Sequence, residues 1–312
     1  MRKIVGIDIG GTKISGAIIE NGTIVGDIIK EKTPFCTSEI LKTVFGITDK
    51  LLDNNVKAIA IATAGAVNNE NSKVIGSTGN LPKDYSSTDF KKIFEENYKL
   101  PFLIENDANA AAFAEYKIGA AKGSRNSVTV TLGTGVGGGV IVDGKLLKGK
   151  NGAAGEIGHI VLGIDENRPC TCGIYNCFEA YASGTGFKKT IQELSKTLPE
   201  FKTSKLSQTP YDELSTYEVI KGYKEGDEFC KIAYETWEKH LIIGLISLVN
   251  ILDPENIVIS GGLAGEVNYK KVEKEINEKI VTTPIKLLEA KAGNYAGMIG
   301  AALLAQEKFV EI

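Results

Sequence analysis

The chain has 312 residues, 43% hydrophobic and 24% charged, a composition suited to one large globular domain or two medium ones. A net charge of −3, from 36 basic and 39 acidic residues, excludes the basic excess of a nucleic-acid binder. No apolar run approaches the ~20 residues that span a bilayer, and Asp8 interrupts the first apolar run too early for a signal-peptide core, so a cytoplasmic protein with no membrane partner is expected.

The chain opens on "VGIDIGGTKISGAIIENGTIVG" (5–26), a β-rich run, a Gly/Thr turn and a second apolar run. The same plan returns in "VTVTLGTGVGGGVIVDGKLLKG" (128–149). Each copy closes on a two-residue hairpin signal, Asn21-Gly22 and Asp143-Gly144, because type I′ turns need positive φ at both central positions. A third short strand follows in each, "TIVG" and "KLLKG". Two copies of one supersecondary unit predict two related domains, each with a glycine loop facing a shared cleft. Glycines let backbone N–H groups approach an anion, and Thr12, Lys13 and Thr134 add donors, so both loops read as phosphate-binding.

Between the copies, "AIAIATAGAV" (58–67) predicts a buried strand ending in a turn at Gly65. "GSTGNLP" (76–82) is a loop offering the Asn80 amide. "LPFLIENDANAAAFAEYK" (100–117) predicts a strand over "FLI" running into a helix. Asn106 or Asp107 stands at the helix N-cap, and Asp107 reads either as that cap alone or as a carboxylate at a strand end, kept ionised by the helix dipole.

In the second copy, "GTGVGG" (133–138) matches a dinucleotide fingerprint, but the β-branched "VIVDG" follows where a helix is required. "GVIVDGKL" (139–146) fails the Walker pattern at Leu146. Beyond it, "GAAGEIGHI" carries His159, and "CTCGIYNCFEA" carries Cys170, Cys172 and Cys177. One histidine and three cysteines form a closed tetrahedral zinc set, so the metal would be structural. Cys36 and Cys230 stand alone and read as small hydrophobes. Residues 185–250 read as mostly helical, with "YETWEKHLIIGLISLVNIL" a core helix and His240 a packing residue. "NIVISGGLAGE" (256–266) predicts a buried strand, a double-glycine turn and a helix, the kind of strand end where α/β proteins bind ligands.

Taken in order, "DIGGTK", "ENDANAAAFAE", "TLGTGVGGGVIVDG", "GAAGEIGHI" and "CTCGIYNCFEA" resemble bacterial sugar kinases of the ROK family, nearest to their glucokinases, over essentially the whole length. The resemblance implies an α/β fold of the actin/hexokinase type (ribonuclease H-like), a two-domain kinase with a central cleft. It implies a small domain over 1–115, completed by a C-terminal helix at about 295–312, and a large domain over 116–294 holding the zinc loop. ATP and Mg²⁺ are implied, with Asp8, Gly10, Gly11, Thr12 and Lys13 as the first phosphate loop and Asp8 acting through Mg²⁺. Gly133, Thr134 and Gly135 would form the second loop, and Gly261 and Gly262 would lie against the adenosine. Asp107 would be the catalytic base, and Gly65, Asn80, Asn106, Asp107, Glu156, His159 and Glu179 would surround the sugar. His159, Cys170, Cys172 and Cys177 would hold structural Zn²⁺, and a homodimer or larger homo-oligomer is implied.

Three departures from the family pattern stand out. Ala64 replaces a usual Pro, Asn176 a usual Gly, and "LPKDY" an aromatic-rich segment near the sugar. The expected reaction is ATP-dependent phosphorylation of a hexose, glucose first, with N-acetylmannosamine, N-acetylglucosamine, fructose and mannose as alternatives. A transcriptional regulator of the same family is the other class. It is disfavoured by Asp8, Lys13 and Asp107, and by the three residues ahead of Ile4, which leave no room for a helix-turn-helix.

Overall fold

The computed structural model describes residues 3–76, 81–165 and 167–309. The chain forms two compact units, one of residues 1–129, 138–155 and 290–312, the other of residues 130–137 and 156–289.

The first unit begins with β1 (Lys3–Ile9), β2 (Lys13–Glu20) and β3 (Thr23–Lys32), followed by α1 (Thr37–Leu51) and β4 (Val56–Thr63). The small hairpin β5 (Ala66–Val67) and β6 (Val74–Gly76) leads to α2 (Phe90–Tyr98), β7 (Phe102–Asn106) and α3 (Asp107–Ile118). The sheet order is β3-β2-β1-β4-β7, antiparallel among the first three strands and parallel from β1 through β4 to β7. Next come β8 (Ser127–Leu132), β9 (Val136–Val142) and β10 (Lys145–Leu146).

In the second unit α4 (Glu179–Ala182), α5 (Gly184–Thr197), α6 (Thr216–Lys224) and α7 (Glu228–Leu252) precede β11 (Asn256–Ser260), α8 (Tyr269–Asn277) and β12 (Lys286–Glu289). The second sheet runs β10-β9-β8-β11-β12, the same plan as the first: a meander followed by crossover neighbours. Both expected hairpin turns form, with φ of 49° and 79° at Asn21-Gly22 and 50° and 74° at Asp143-Gly144. The chain ends in α9 (Ala296–Phe309), which packs in the first unit.

Strand β4 shows how the first sheet is built. Its alternation places Ala58, Ala60 and Ala62 on one face and Ile59 and Ile61 on the other. The large face packs against Ile40, Val44 and Ile47 of α1 and Phe90 and Phe94 of α2. On the small face lie Ala110, Ala111 and Ala114 of α3 and Met298, Ala301 and Ala302 of α9. The helices there run so close that a Cβ built at Gly300 would stand 1.7 Å from the Ala110 carbonyl oxygen. The alanine run of "ANAAAFAE" therefore serves close packing as well as helix propensity.

The expected boundary at residue 115 lies inside α3, a continuous and largely buried helix. Residues 138–155 also return to the first unit. Gly139 makes this possible, since a Cβ there would stand 2.5 Å from the Ala112 methyl.

The second unit's core centres on α7. Trp237 is fully buried, stacks on Phe187 at 4.9 Å and donates Nε1–H to the Ala182 carbonyl at 2.8 Å. His240 packs edge-on to Tyr181 at 4.9 Å, and burial, with the Arg168 and Lys239 charges, lowers its pKa to about 4. The helix expected after Gly262 is only a 3-10 turn at Ala264–Glu266, and α8 starts at Tyr269. Gly265 disfavours an early helix start, and the Asn268 side chain caps the later one by accepting from Lys271 N–H at 3.2 Å.

Candidate active site

In the first unit the β1–β2 turn carries Gly10, Gly11, Thr12 and Lys13. It is closed by Gly10 N–H donating to Lys13 O at 3.0 Å and held from β3's end by Thr33, whose hydroxyl donates to Gly10 O at 2.6 Å. Gly11, Thr12 and Lys13 are exposed. Asp8, near the end of β1, has its carboxyl pushed up to about 7, by burial first and then by the Asp107 charge, with Lys13 pulling the other way. A buried carboxyl whose proton affinity a second carboxylate raises marks a site whose charge a divalent cation would neutralise. Gly297 opens α9 toward both, since a Cβ there would stand 3.5 Å from Asp107 O and 3.8 Å from Asp8 Oδ1.

Asn106, not Asp107, is the N-cap of α3. Its Oδ1 accepts from Asn109 N–H at 3.0 Å, while its Nδ2 donates to Gly65 O at 3.0 Å. Asp107 is thereby spared the capping role and stands in the first turn, its Oδ1 accepting from Ala108 N–H at 2.9 Å. Gly65, with φ of 97°, is packed so that a Cβ would meet Gly76 O at 2.3 Å. Beside it, Thr63 and Tyr85 share a buried hydroxyl–hydroxyl bond of 2.8 Å. Burial pushes the Tyr85 hydroxyl above its usual range, the Thr63 bond works against that, and the Asp107 charge adds to it.

In the second unit, Gly133–Gly135 and Gly261–Gly262 form one assembly. Leu263 N–H donates to Leu132 O at 3.1 Å, Gly184 N–H to Gly133 O at 2.8 Å, and the Thr185 hydroxyl to Thr134 O at 2.8 Å. Glu179 joins it to the cysteine loop. Its Oε2 accepts from Val136 N–H at 2.9 Å, and its Oε1 accepts from the Thr171 hydroxyl at 3.3 Å. Gly135 must be glycine for this, because a Cβ would stand 2.3 Å from that Oε2.

The donor atoms of His159, Cys170, Cys172 and Cys177 all lie within 4.8 Å of one another. Cys170 Sγ is 3.6 Å from His159 Nδ1, and Cys172 Sγ is 3.5 Å from Cys177 Sγ. A tetrahedral zinc bound at ~2.3 Å to sulfur and ~2.0 Å to nitrogen sets edges of about 3.5–3.8 Å, so these residues fit the ion. Burial pushes the Cys177 thiol far up, and a bound cation would supply the charge its thiolate needs. With Nδ1 on the metal side, His159 turns Nε2 toward Glu156 Oε2, 4.0 Å away.

Asn176 explains one departure from the family pattern. It holds φ of 59°, which asparagine tolerates, and its buried Oδ1 accepts from Arg168 N–H at 3.1 Å and from the Tyr181 hydroxyl at 2.7 Å. Arg168, 5% exposed, then anchors the loop to α5 through Thr190 Oγ1 at 3.0 Å and Glu193 Oε2 at 2.5 Å.

Comparison with known proteins agrees with this picture. The ROK family profile matches residues 4–308. The chain belongs to the ROK family. It is 32% identical to a glucokinase of Streptomyces coelicolor over 313 residues, covering 97% of each chain. The crystal structure of a ROK glucokinase from Streptomyces griseus with glucose and AMPPNP superposes with a TM-score of 0.80 at 29% identity, covering 98% of this chain and 99% of that one. A xylose repressor of Caldicellulosiruptor bescii is 29% identical over 88% of this chain and 70% of its own.

In this ROK chain, Asp8, Gly10–Lys13, Gly65, Asn106 and Asp107 fall in the first unit. The second unit holds Gly133–Gly135, Glu156, His159, Glu179, Gly261, Gly262 and the three cysteines. Asn80 lies outside the described residues. Sequence reasoning missed Glu105 and Tyr85. Glu105 reads as a strand end and Tyr85 as loop, and only "LPKDY", as a departure, marked the Tyr85 region. Among the described residues, no helix is long and apolar enough to cross a membrane.

Proposed function

We propose that this ROK sugar kinase transfers the γ-phosphoryl group of ATP to a hexose, with glucose the first candidate and Asp107 the base. The observation that carries the reading is the placement of Asp107 in the first turn of α3, where its charge acts on the Asp8 carboxyl, within the same unit as the Gly10–Lys13 loop. In the reaction the Asp107 carboxylate orients a sugar hydroxyl and accepts its proton as the oxygen attacks the γ-phosphorus in line. Backbone N–H groups and Lys13 bind phosphate oxygens, and Asn106, Glu156 and His159 Nε2 pair sugar hydroxyls. Mg²⁺, when bound near Asp8, would neutralise charge on the phosphates.

Glucose as acceptor is supported by the glucokinases among the chain's relatives. Structural zinc is part of the same proposal, supported by the fit of the four donors. So is a homodimer or larger homo-oligomer, which light scattering would test.

A coupled ADP-release assay over glucose, mannose, fructose, N-acetylglucosamine and N-acetylmannosamine decides the acceptor, and no turnover on any of them sinks the kinase reading. Asp107→Asn should lower kcat about 10²–10⁴-fold while leaving KM for ATP and the melting temperature near wild type.

A further inference from the structure

Glu105, directly before Asn106 and Asp107, is a buried carboxylate that the reaction above does not use. It is 1% exposed. Its Oε1 accepts from Asn106 N–H at 2.9 Å and Asn109 Nδ2 at 3.2 Å. Its Oε2 accepts from Asn71 Nδ2 at 2.8 Å and lies 2.8 Å from the Lys148 ammonium group. A strand end needs no charge here, and an unmatched buried carboxylate is costly.

The Lys148 segment is itself fastened to the residues around Asn71. Asn69 Nδ2 donates to Gly149 O at 3.1 Å and to Lys150 O at 2.7 Å. Gly152 packs so tightly there that a Cβ would stand 1.9 Å from Val67 O. One ion pair thus ties three stretches of the first unit: 67–71, the Glu105–Asn109 turn and 148–152. The turn holds Asp107, and the third stretch runs on toward Glu156.

We infer that Glu105 and Lys148 form a positioning pair for phosphoryl transfer. The pair touches no reacting atom. It fixes the Asn106–Asp107 turn against the run that leads to Glu156, so the base keeps its aim at the acceptor hydroxyl. This inference rests on the kinase reading.

The test compares wild type, Lys148→Met, Glu105→Gln and the double variant, with Lys148→Gln as a milder change should either single variant fail to fold. Each single variant should lose about 10–100-fold in kcat, the scale of a misaimed reacting group, with KM for ATP within about twofold. The double variant, in which no charge is left buried alone, should recover part of the loss. In Lys148→Met, hydrogen exchange of backbone amides should speed up over 102–113 and stay unchanged over 3–9.

Unchanged exchange over 102–113 overturns the inference. So does faster exchange with kcat within twofold of wild type, which leaves the pair a stability role only. A double variant showing the product of the single losses overturns the coupling. If wild type phosphorylates no sugar in the panel, the kinase reading falls and the positioning role falls with it, while the exchange data still decide whether the pair orders the turn.

Discussion

Asp8→Asn makes the electrostatics of the proposed phosphate site measurable. In the protein without bound Mg²⁺, the Asp8 carboxyl titrates at about 7 instead of 3.8. Between those two values the unfolded chain has released this proton and the folded chain keeps it. The folded state binds more protons there, so this group's contribution to stability falls as pH rises from about 4 to about 7. At ~1.4 kcal/mol per tenfold change in proton affinity, the interval from 3.8 to about 7 corresponds to about 4 kcal/mol. Partial solvent contact at Asp8 reduces this, and about 2 kcal/mol is the expected effect. Asparagine has the same shape and no charge to bury. Asp8→Asn should therefore be more stable than wild type at pH 8 in Mg²⁺-free buffer, and the gap should close as the buffer approaches pH 4. Urea unfolding at four pH values across this range measures it. Adding Mg²⁺ with ADP should then stabilise wild type more than the variant. A gap that does not change with pH, or a variant less stable than wild type at pH 8, would refute the assignment of Asp8 as a carboxyl strained by burial and by Asp107.

Three further outcomes follow from the geometry. Cys172→Ser should weaken sugar binding more than ATP binding in separate titrations, because the cysteine loop carries His159 and Glu179; equal loss would mean that the metal supports only the general fold. Metal analysis of protein purified without chelator should give close to one zinc per chain, and a value below about half would count against a closed four-ligand site. Asn176→Gly should keep the loop backbone and lose the side-chain bonds to Arg168, Tyr181 and the Asp165 carbonyl, whereas Asn176→Ala should also incur the strain of positive φ. The alanine variant should therefore be less stable than the glycine variant by about 1 kcal/mol, read by calorimetry.

Local chemistry made much of this molecule legible. The two hairpins announced themselves because Asn-Gly and Asp-Gly demand one turn type, and the repeated sheet plan follows from them. The strand at 102–106 and the helix after it were readable from apolar run and alanine content. The identity of the cap was not, since Asn106 and Asp107 are equally able caps and only the reach of Asn106 Nδ2 to Gly65 O separates them. Glu105 was invisible for a different reason. Its partners Asn71 and Lys148 lie far away in sequence, and a carboxylate at a strand end looks solvated until the fold closes over it. Glu179 was expected at the sugar, and its bond to Val136 N–H depends on a register that no local pattern encodes. The second glycine motif misled in the opposite direction, for the helix expected after Gly262 gave way to a later one with a better cap.

The placement of α9 bears on how the chain is made. The small face of the first sheet and the alanine face of α3 are covered by Met298, Ala301 and Ala302. Glu115, fully buried, accepts backbone N–H groups from Lys291 at 2.9 Å and Ala292 at 2.7 Å. A nascent chain on the ribosome therefore carries its first-synthesised sheet with one face bare until residues near 300 emerge, while residues 130–289 can already close upon themselves. At ~5–20 residues per second that exposure lasts several seconds or longer. Over that interval the half-built unit exposes apolar surface, and the arrival of residues 290–309 is the event that lets it close.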